Sequence, residues 1–248
     1  MKIGIIGVGN IGSTLARKLA GAGHEVSIAN SKGAENVRPF AVEIGATAAD
    51  TQGAIAGAEL IVLTIPFPAI EKLSKNLFAD SGDELIVVDT GNYYPGLRDP
   101  NIPAIDAGQV ESEWVAEQIG RPVIKAFNNI LADSLARLGR DPGAPGRLAV
   151  AVAGDDAAAK RVVMGLVDQV GFDPVDGGLL AESWRQQPST PAYCCDFDAE
   201  TMRRGLAAAN KDETPKRRDA LIAHLQSLEG YPEHNDLVAL NRRFNAAD

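Results

Sequence analysis

A chain of 248 residues can bury one generous core, or one main domain with a smaller appendage. Its formal net charge of −9 speaks against general nucleic-acid binding, which needs a basic face, but not against a phosphorylated cofactor held by a few local donors. Residues 1–9 form an apolar run too short and too glycine-broken for a signal segment or a membrane span, so no membrane partner is expected.

Short β-branched runs then alternate with longer helical patterns. Strands are predicted at Lys2–Ile6, Glu25–Ala29, Leu60–Thr64, Leu85–Asp89, Pro122–Lys125, Leu148–Ala153 and Phe172–Asp176. Helices are predicted between them at Ile11–Ala22, Ala34–Ile44, Pro68–Phe78, Glu111–Ile119 and Asp155–Val170. Near-continuous apolar runs such as IVLTI and LIVVD suit strands covered on both faces. The alternation predicts an α/β fold with a doubly wound, mostly parallel sheet over residues 1–178.

After Gly178 the character changes, and residues 179–248 read as a small helical C-terminal appendage, with apolar residues at helical spacing in Asp219–Leu228. Within it the adjacent Cys194 and Cys195 read as free thiols of a reducing, cytoplasmic compartment, because a disulfide between neighbours is strained. With no second cysteine pair and no histidine cluster, no metal site is expected.

Gly7-Val8-Gly9-Asn10-Ile11-Gly12 follows the first strand directly and opens an amphipathic helix through Ile11, Leu15 and Leu19. In that context the three glycines read as a Rossmann-type dinucleotide turn. Gly7 permits the bend, Gly9 the approach of a pyrophosphate, and Gly12 the close packing of helix on strand. An acidic residue ending the second strand would bind a ribose 2′-hydroxyl and repel a 2′-phosphate, yet the chain has Asn30-Ser31-Lys32 there, with Arg38 on the following helix. A 2′-phosphate gains charge-assisted hydrogen bonds in such a loop, so NADP(H) is the expected cofactor.

At this point the chain resembles the NADP oxidoreductases dependent on coenzyme F420, a deazaflavin. The resemblance is carried by GVGNIGSTLARKLAGAGHEV, ANSKG, VLTIPF, VVDTGNYYP, KAFNNI, VAGDDAAAKRVV and GFDPVDGG, in family order over about the first 178 residues. It implies a Rossmann domain with Gly9, Asn10 and Ile11 at the pyrophosphate and Ser31 and Lys32 at the 2′-phosphate. It also implies Thr64, Ile65 and Pro66 beside the nicotinamide and its ribose, and Asn92, Phe127 and Asn128 facing the crevice from strand ends. The pattern departs after Gly178, where LLAESWRQQPSTPAYCCDF begins.

The resemblance implies hydride transfer between NADPH and a small-molecule redox acceptor, a flavin or deazaflavin such as coenzyme F420. Such transfer asks for positioning rather than acid–base side chains, so no catalytic constellation is expected. Phe67, Asn128, Asn129, Trp184 and Arg185 are the candidate acceptor contacts. Trp184-Arg185-Gln186-Gln187-Pro188 suits a lid over the acceptor or, equally, a contact between the subunits of a homodimer. Lys125 reads as a surface lysine and His24 as structural. Reduction of an imine or carbonyl, and NADP(H) sensing without turnover, remain as alternatives.

Overall fold

In the computed structural model, residues 1–74, 76–230 and 232–246 are described. The chain opens with β1 (Lys2–Ile6), α1 (Asn10–Gly21) and β2 (Glu25–Ala29), and the two strands pair in parallel with Lys2 opposite Glu25 and Ile6 opposite Ala29. There follow α2 (Ala34–Ile44), β3 (Thr47–Ala48), α3 (Thr51–Ile55), β4 (Leu60–Leu63), α4 (Phe67–Ile70), β5 (Ile86–Asp89), α5 (Pro103–Asp106), α6 (Glu111–Ile119) and β6 (Ile124–Lys125). The six strands form one parallel sheet in the order β3-β2-β1-β4-β5-β6. The order reverses at β1 and β4, which is where a crevice opens beyond the carboxyl ends of a doubly wound sheet.

Beyond α7 (Ala132–Arg137), β7 (Ala149–Val152), α8 (Ala157–Gln169) and β8 (Asp173–Asp176) add a second, two-stranded parallel piece. It joins β6 by one antiparallel bridge, in which Lys125 and Ala153 exchange backbone hydrogen bonds at 2.8 and 3.0 Å. Alternate residues of each central strand enter different cores. Leu60 and Val62 of β4 face a cluster with Leu15 and Leu19 of α1, Val37 of α2 and Val167 of α8. Ile61 and Leu63 face a second cluster with Phe67, Ile70, Trp114 and Val115. Each large apolar side chain buried this way contributes roughly 1.5–3 kcal/mol, so covering both faces holds the sheet.

The predicted helix at Pro68–Phe78 is a single turn, Phe67–Ile70, followed by irregular turns, with Lys75 lying outside the described residues. The Ser74 hydroxyl accepts a hydrogen bond from the Asn76 backbone N–H at 3.3 Å, a local bond that competes with the helical pattern. The short α3 went unpredicted, although Asp50 caps it by accepting from the Gly53 N–H at 2.7 Å. His24 is structural, with its Nε2 2.7 Å from Gln169 Oε1.

The C-terminal region begins with a 3₁₀ turn, Leu180–Gln186, and continues through α9 (Ala199–Ala207), α10 (Thr214–Gln226) and α11 (His234–Phe244). Ala192, Met202 and Leu206 from this region bury Ala149, Ala151 and Val175 of the small sheet. Among the described residues no helix is long and apolar enough to cross a membrane.

Candidate functional site

β1 delivers the chain to Gly7, where the backbone turns through φ 107°, a left-handed value that side chains rarely adopt. A Cβ on Gly7 would lie 2.6 Å from the Thr64 carbonyl oxygen, and one on Gly12 would run into Gly7 O and Thr64 Oγ1. Thr64 Oγ1 donates to the Gly7 carbonyl at 2.6 Å, bolting the end of β4 to the turn. Gly7, Gly12 and Thr64 therefore build the loop. Val8 and Ile11 back it, half-buried against the first core cluster.

Gly9 is different. Its backbone is extended (φ −82°, ψ −167°), a conformation open to any residue, and a Cβ placed on it meets no heavy atom within 4 Å. The space in front of it lies at the start of α1, for which Gly9 is the N-cap with no capping side chain and no acidic residue in the first turn. The N–H groups of a first helical turn have no acceptor within the helix, and the dipole there favours negative charge. A diphosphate fits this cradle. Asn10 is exposed beside it, with its carbonyl accepting from Thr14 Oγ1 at 2.8 Å.

The loop after β2 is organised by Asn30. Its Oδ1 accepts from the Lys32 N–H at 2.9 Å and its Nδ2 donates to Asn36 Oδ1 at 2.7 Å. Asn30 is thus a scaffold, and its bonds leave Ser31 and Lys32 exposed at the loop tip. Arg38 is not turned toward them, because both its Nε and its Nη2 are taken by the Glu35 carboxylate, with Nε 3.0 Å away. The pairing holds the Glu35 carboxyl below the usual carboxylate range.

At the carboxyl ends of the central strands, Ile65 is half-buried and Pro66 exposed. Asn92, after β5, and Asn128, after β6, clasp one another. Asn92 Nδ2 donates to Asn128 O at 2.9 Å, and Asn128 Nδ2 to Asn92 Oδ1 at 3.1 Å. Gln186 locks the pair from the C-terminal region, with Nε2 donating to Asn128 Oδ1 at 2.9 Å.

Three of the predicted contacts are core residues instead. Phe67, 1% exposed, stacks on Trp114 with ring centroids 5.3 Å apart, because α4 turns it into the second core cluster. Phe127 is buried in the first core cluster, on a backbone with φ 61°. Asn129 is buried, with its Nδ2 donating to Ala192 O at 3.2 Å, so it ties the C-terminal region to the sheet. Trp184 and Arg185 are half-buried; the guanidinium lies 5.2 Å from the indole centroid, and Glu182 Oε1 stands 3.6 Å away.

Sequence reasoning missed a buried polar cluster under the crevice. Lys125 is fully buried rather than a surface lysine, because β6 pairs with β5 and sets it opposite Asp89. Its Nζ donates to Asp89 Oδ2 at 2.9 Å and to the Gly91 carbonyl at 2.6 Å. Asp89 Oδ1 accepts from the Gly91 N–H at 2.7 Å, and its Oδ2 accepts from Ser112 Oγ at 2.7 Å. The ion pair thereby grips the Gly91 peptide from both sides and presents Asn92. Glu111 completes the group, accepting from the Tyr93 N–H at 3.2 Å. Burial pushes its carboxyl up to about 8, with the Lys125 ammonium opposing the shift and the Asp89 carboxylate adding to it. The available signal was a charged residue closing each of two apolar strand runs, IVVD and VIK.

The model of the family described as NADP oxidoreductase, coenzyme F420-dependent, matches residues 2–93, from β1 through the loop after β5. The protein YjhV of Escherichia coli (strain K12) is 52% identical over 103 residues, which span 42% of this chain and 75% of that protein. The structure of hypothetical protein SMa0349 from Sinorhizobium meliloti is 31% identical, with a TM-score of 0.63 over 75% of this chain and 89% of that one. A protein from Arthrobacter sp. FB24, provisionally named an F420-dependent NADP reductase, is 27% identical, with a TM-score of 0.57 over 74% of this chain and 87% of its own.

Proposed function

The chain belongs to the family of NADP oxidoreductases described as coenzyme F420-dependent, and on that premise we propose that it is an NADPH-dependent reductase that passes hydride from the nicotinamide to a flavin- or deazaflavin-like acceptor. The observation that carries the reading is the open face of Gly9, a glycine that the fold does not require, in front of an uncapped helix start. In this reading Asn10, Ile11 and Gly12 offer backbone N–H groups to the diphosphate. Ser31 and Lys32 take the 2′-phosphate, as a hydroxyl donor and a point charge.

When bound, the nucleotide supplies the hydride, and the chain's residues supply position. Ile65 and Pro66 form the wall at the end of β4, and the clasped Asn92 and Asn128 form the rigid floor. Holding reacting atoms about 3–3.5 Å apart in a dry cleft removes several kcal/mol of barrier without a proton-transferring side chain.

Calorimetric titration with NADPH and NADH, followed by NADPH oxidation with FMN and coenzyme F420 as acceptors, tests the proposal. Tighter binding of NADPH than NADH and saturable turnover with one acceptor are expected. Binding of NADPH without turnover of either would favour a sensor, and heat from neither nucleotide would end the reading.

A further inference from the structure

We propose that Gln186 is a positioning residue for the cofactor: acting through Asn128, it holds the Asn92 amide so that Asn92 reads the carboxamide of the nicotinamide. The proposal rests on the reading that the crevice takes NADP(H), and it adds the group that orients the ring.

Three primary amides meet at the carboxyl ends of β5 and β6, at three depths. Gln186 is fully buried, Asn128 is 2% exposed, and Asn92 is half-buried at the crevice. Gln186 closes the 3₁₀ turn and grips Asn128 at two points. Its backbone carbonyl accepts from Asn128 Nδ2 at 2.7 Å, while its own Nε2 donates to Asn128 Oδ1 at 2.9 Å. The second Nε2 proton goes to the Ala151 carbonyl of β7, 3.1 Å away. This grip dictates which end of the Asn128 amide is oxygen and which is nitrogen, because a carbonyl cannot donate and an NH₂ group cannot accept.

The other Asn128 Nδ2 proton bonds Asn92 Oδ1, and Asn92 Nδ2 returns a bond to the Asn128 backbone carbonyl. The polarity set by the buried turn therefore passes to the one amide of the three that reaches the crevice. Asn128 has spent both protons within this relay. Asn92 has spent half its capacity, and one N–H and one lone pair of its Oδ1 have no partner among the described residues. Its backbone is held as firmly, since Asp89 and Lys125 clamp the Gly91 peptide before it and Arg98 donates to its own carbonyl.

What this fixed side chain has left to offer is a donor beside an acceptor. A primary carboxamide presents the complementary pair, a carbonyl oxygen and an NH₂ group. The nicotinamide ring carries one, and little else distinguishes the two ways the ring can turn about its bond to ribose. Holding the carboxamide decides which face of the ring meets the acceptor.

The fold gives up hydrogen bonding to keep a glutamine here. Gln186 Oε1 is buried with no partner, facing Gly177, where a Cβ would lie only 2.8 Å from it. A buried carbonyl left unpaired costs its desolvation, which a methionine of similar size would avoid. The donating half of the side chain is thus the part the structure uses. Gln186 lies beyond Gly178, in the segment that departs from the family pattern, so the C-terminal region reaches the crevice through Asn128.

Calorimetry with three ligands on the full chain tests this. They are NADP⁺, its 3-acetylpyridine analogue, in which a methyl group replaces the carboxamide NH₂, and 2′-phospho-ADP-ribose, which lacks the ring. One hydrogen bond between neutral groups is worth about fivefold in affinity, so the unmodified protein should prefer NADP⁺ to the analogue by about that factor. Asn92→Ala, Asn128→Leu and Gln186→Met cut the relay at successive links, and each should bring the ratio to within about twofold of unity. Binding of 2′-phospho-ADP-ribose to each variant should stay within about twofold of the unmodified protein. A merely structural role would weaken all three ligands alike and leave the ratio standing, which would overturn the proposal. So would an unmodified protein that binds both dinucleotides equally, or a folded Gln186→Met that keeps the full preference. Melting curves identify a variant that fails to fold, and Gln186→Leu then replaces Gln186→Met. Heat from none of the three ligands would instead sink the reading of the crevice, and the proposal with it.

Discussion

Replacing Gly9 with alanine separates cofactor binding from folding. The added methyl group meets no protein atom within 4 Å and sits on an extended backbone, so the fold should tolerate it. Where native angles suit alanine, loss of glycine's freedom in the unfolded chain stabilises by about 0.4–1 kcal/mol, so the melting temperature without ligand should be unchanged or slightly raised. The same methyl occupies the space assigned to the diphosphate. Hydrogen bonds to a charged group contribute about 1.5–3 kcal/mol each, so displacing one or two of the helix-start donors costs about 2–4 kcal/mol. That weakens both NADPH and NADH by roughly 30- to 1,000-fold. Calorimetry reads the affinities. The ligand-dependent rise in melting temperature, which follows RT ln(1 + [L]/Kd), gives an independent measure. Gly12→Ala is the contrasting control, because its Cβ runs into Gly7 O and Thr64 Oγ1 and should lower the melting temperature without any ligand. An undiminished NADPH affinity in folded Gly9→Ala would remove the diphosphate from this loop and with it the proposed crevice.

Lys32→Gln should weaken NADPH about tenfold and leave NADH within twofold, with the difference shrinking at high salt; equal losses would strip Lys32 of the 2′-phosphate. Lys125→Met leaves the buried Asp89 carboxylate without its cation and should cost roughly 3–5 kcal/mol in urea unfolding, part of it recovered by adding Asp89→Asn. A loss below about 1 kcal/mol would mean that the pair does not hold the loop. Glu111 predicts a pH dependence of stability. Its folded value of about 8 lies above the ordinary 4.5, so between those values the folded state binds the extra proton. Stability should then fall as pH rises from 4.5 to 8, with a slope approaching about 1.4 kcal/mol per pH unit, and Glu111→Gln should remove that slope. A variant and parent with parallel curves would refute the assignment.

How far the sequence reached depended on the range of the interaction. The strand–glycine–helix unit from Lys2 to Gly21 was legible because each part is local: an apolar run, a bend that needs φ above zero at Gly7, and a helical period through Leu15 and Leu19. The loop Asn30–Lys32 was legible for the same reason, except that Asn30 proved to be scaffold and Arg38 to be paired with Glu35, since hydrogen-bond partners are chosen in space. Phe67 and Phe127 were placed correctly at strand ends, but which way a side chain turns from a loop depends on the packing that meets it there.

The buried chemistry was settled only by tertiary pairing. Asp89 and Lys125 stand 36 residues apart and meet because β5 and β6 lie side by side in that register. Tyr94 and Tyr193 stand 99 residues apart and meet where α11 holds the later loop, with Asn241 donating to the Cys194 carbonyl. Periodicity and turn chemistry are written along the chain, whereas the partner of a buried charge is selected by sheet register and helix packing, which depend on the whole fold.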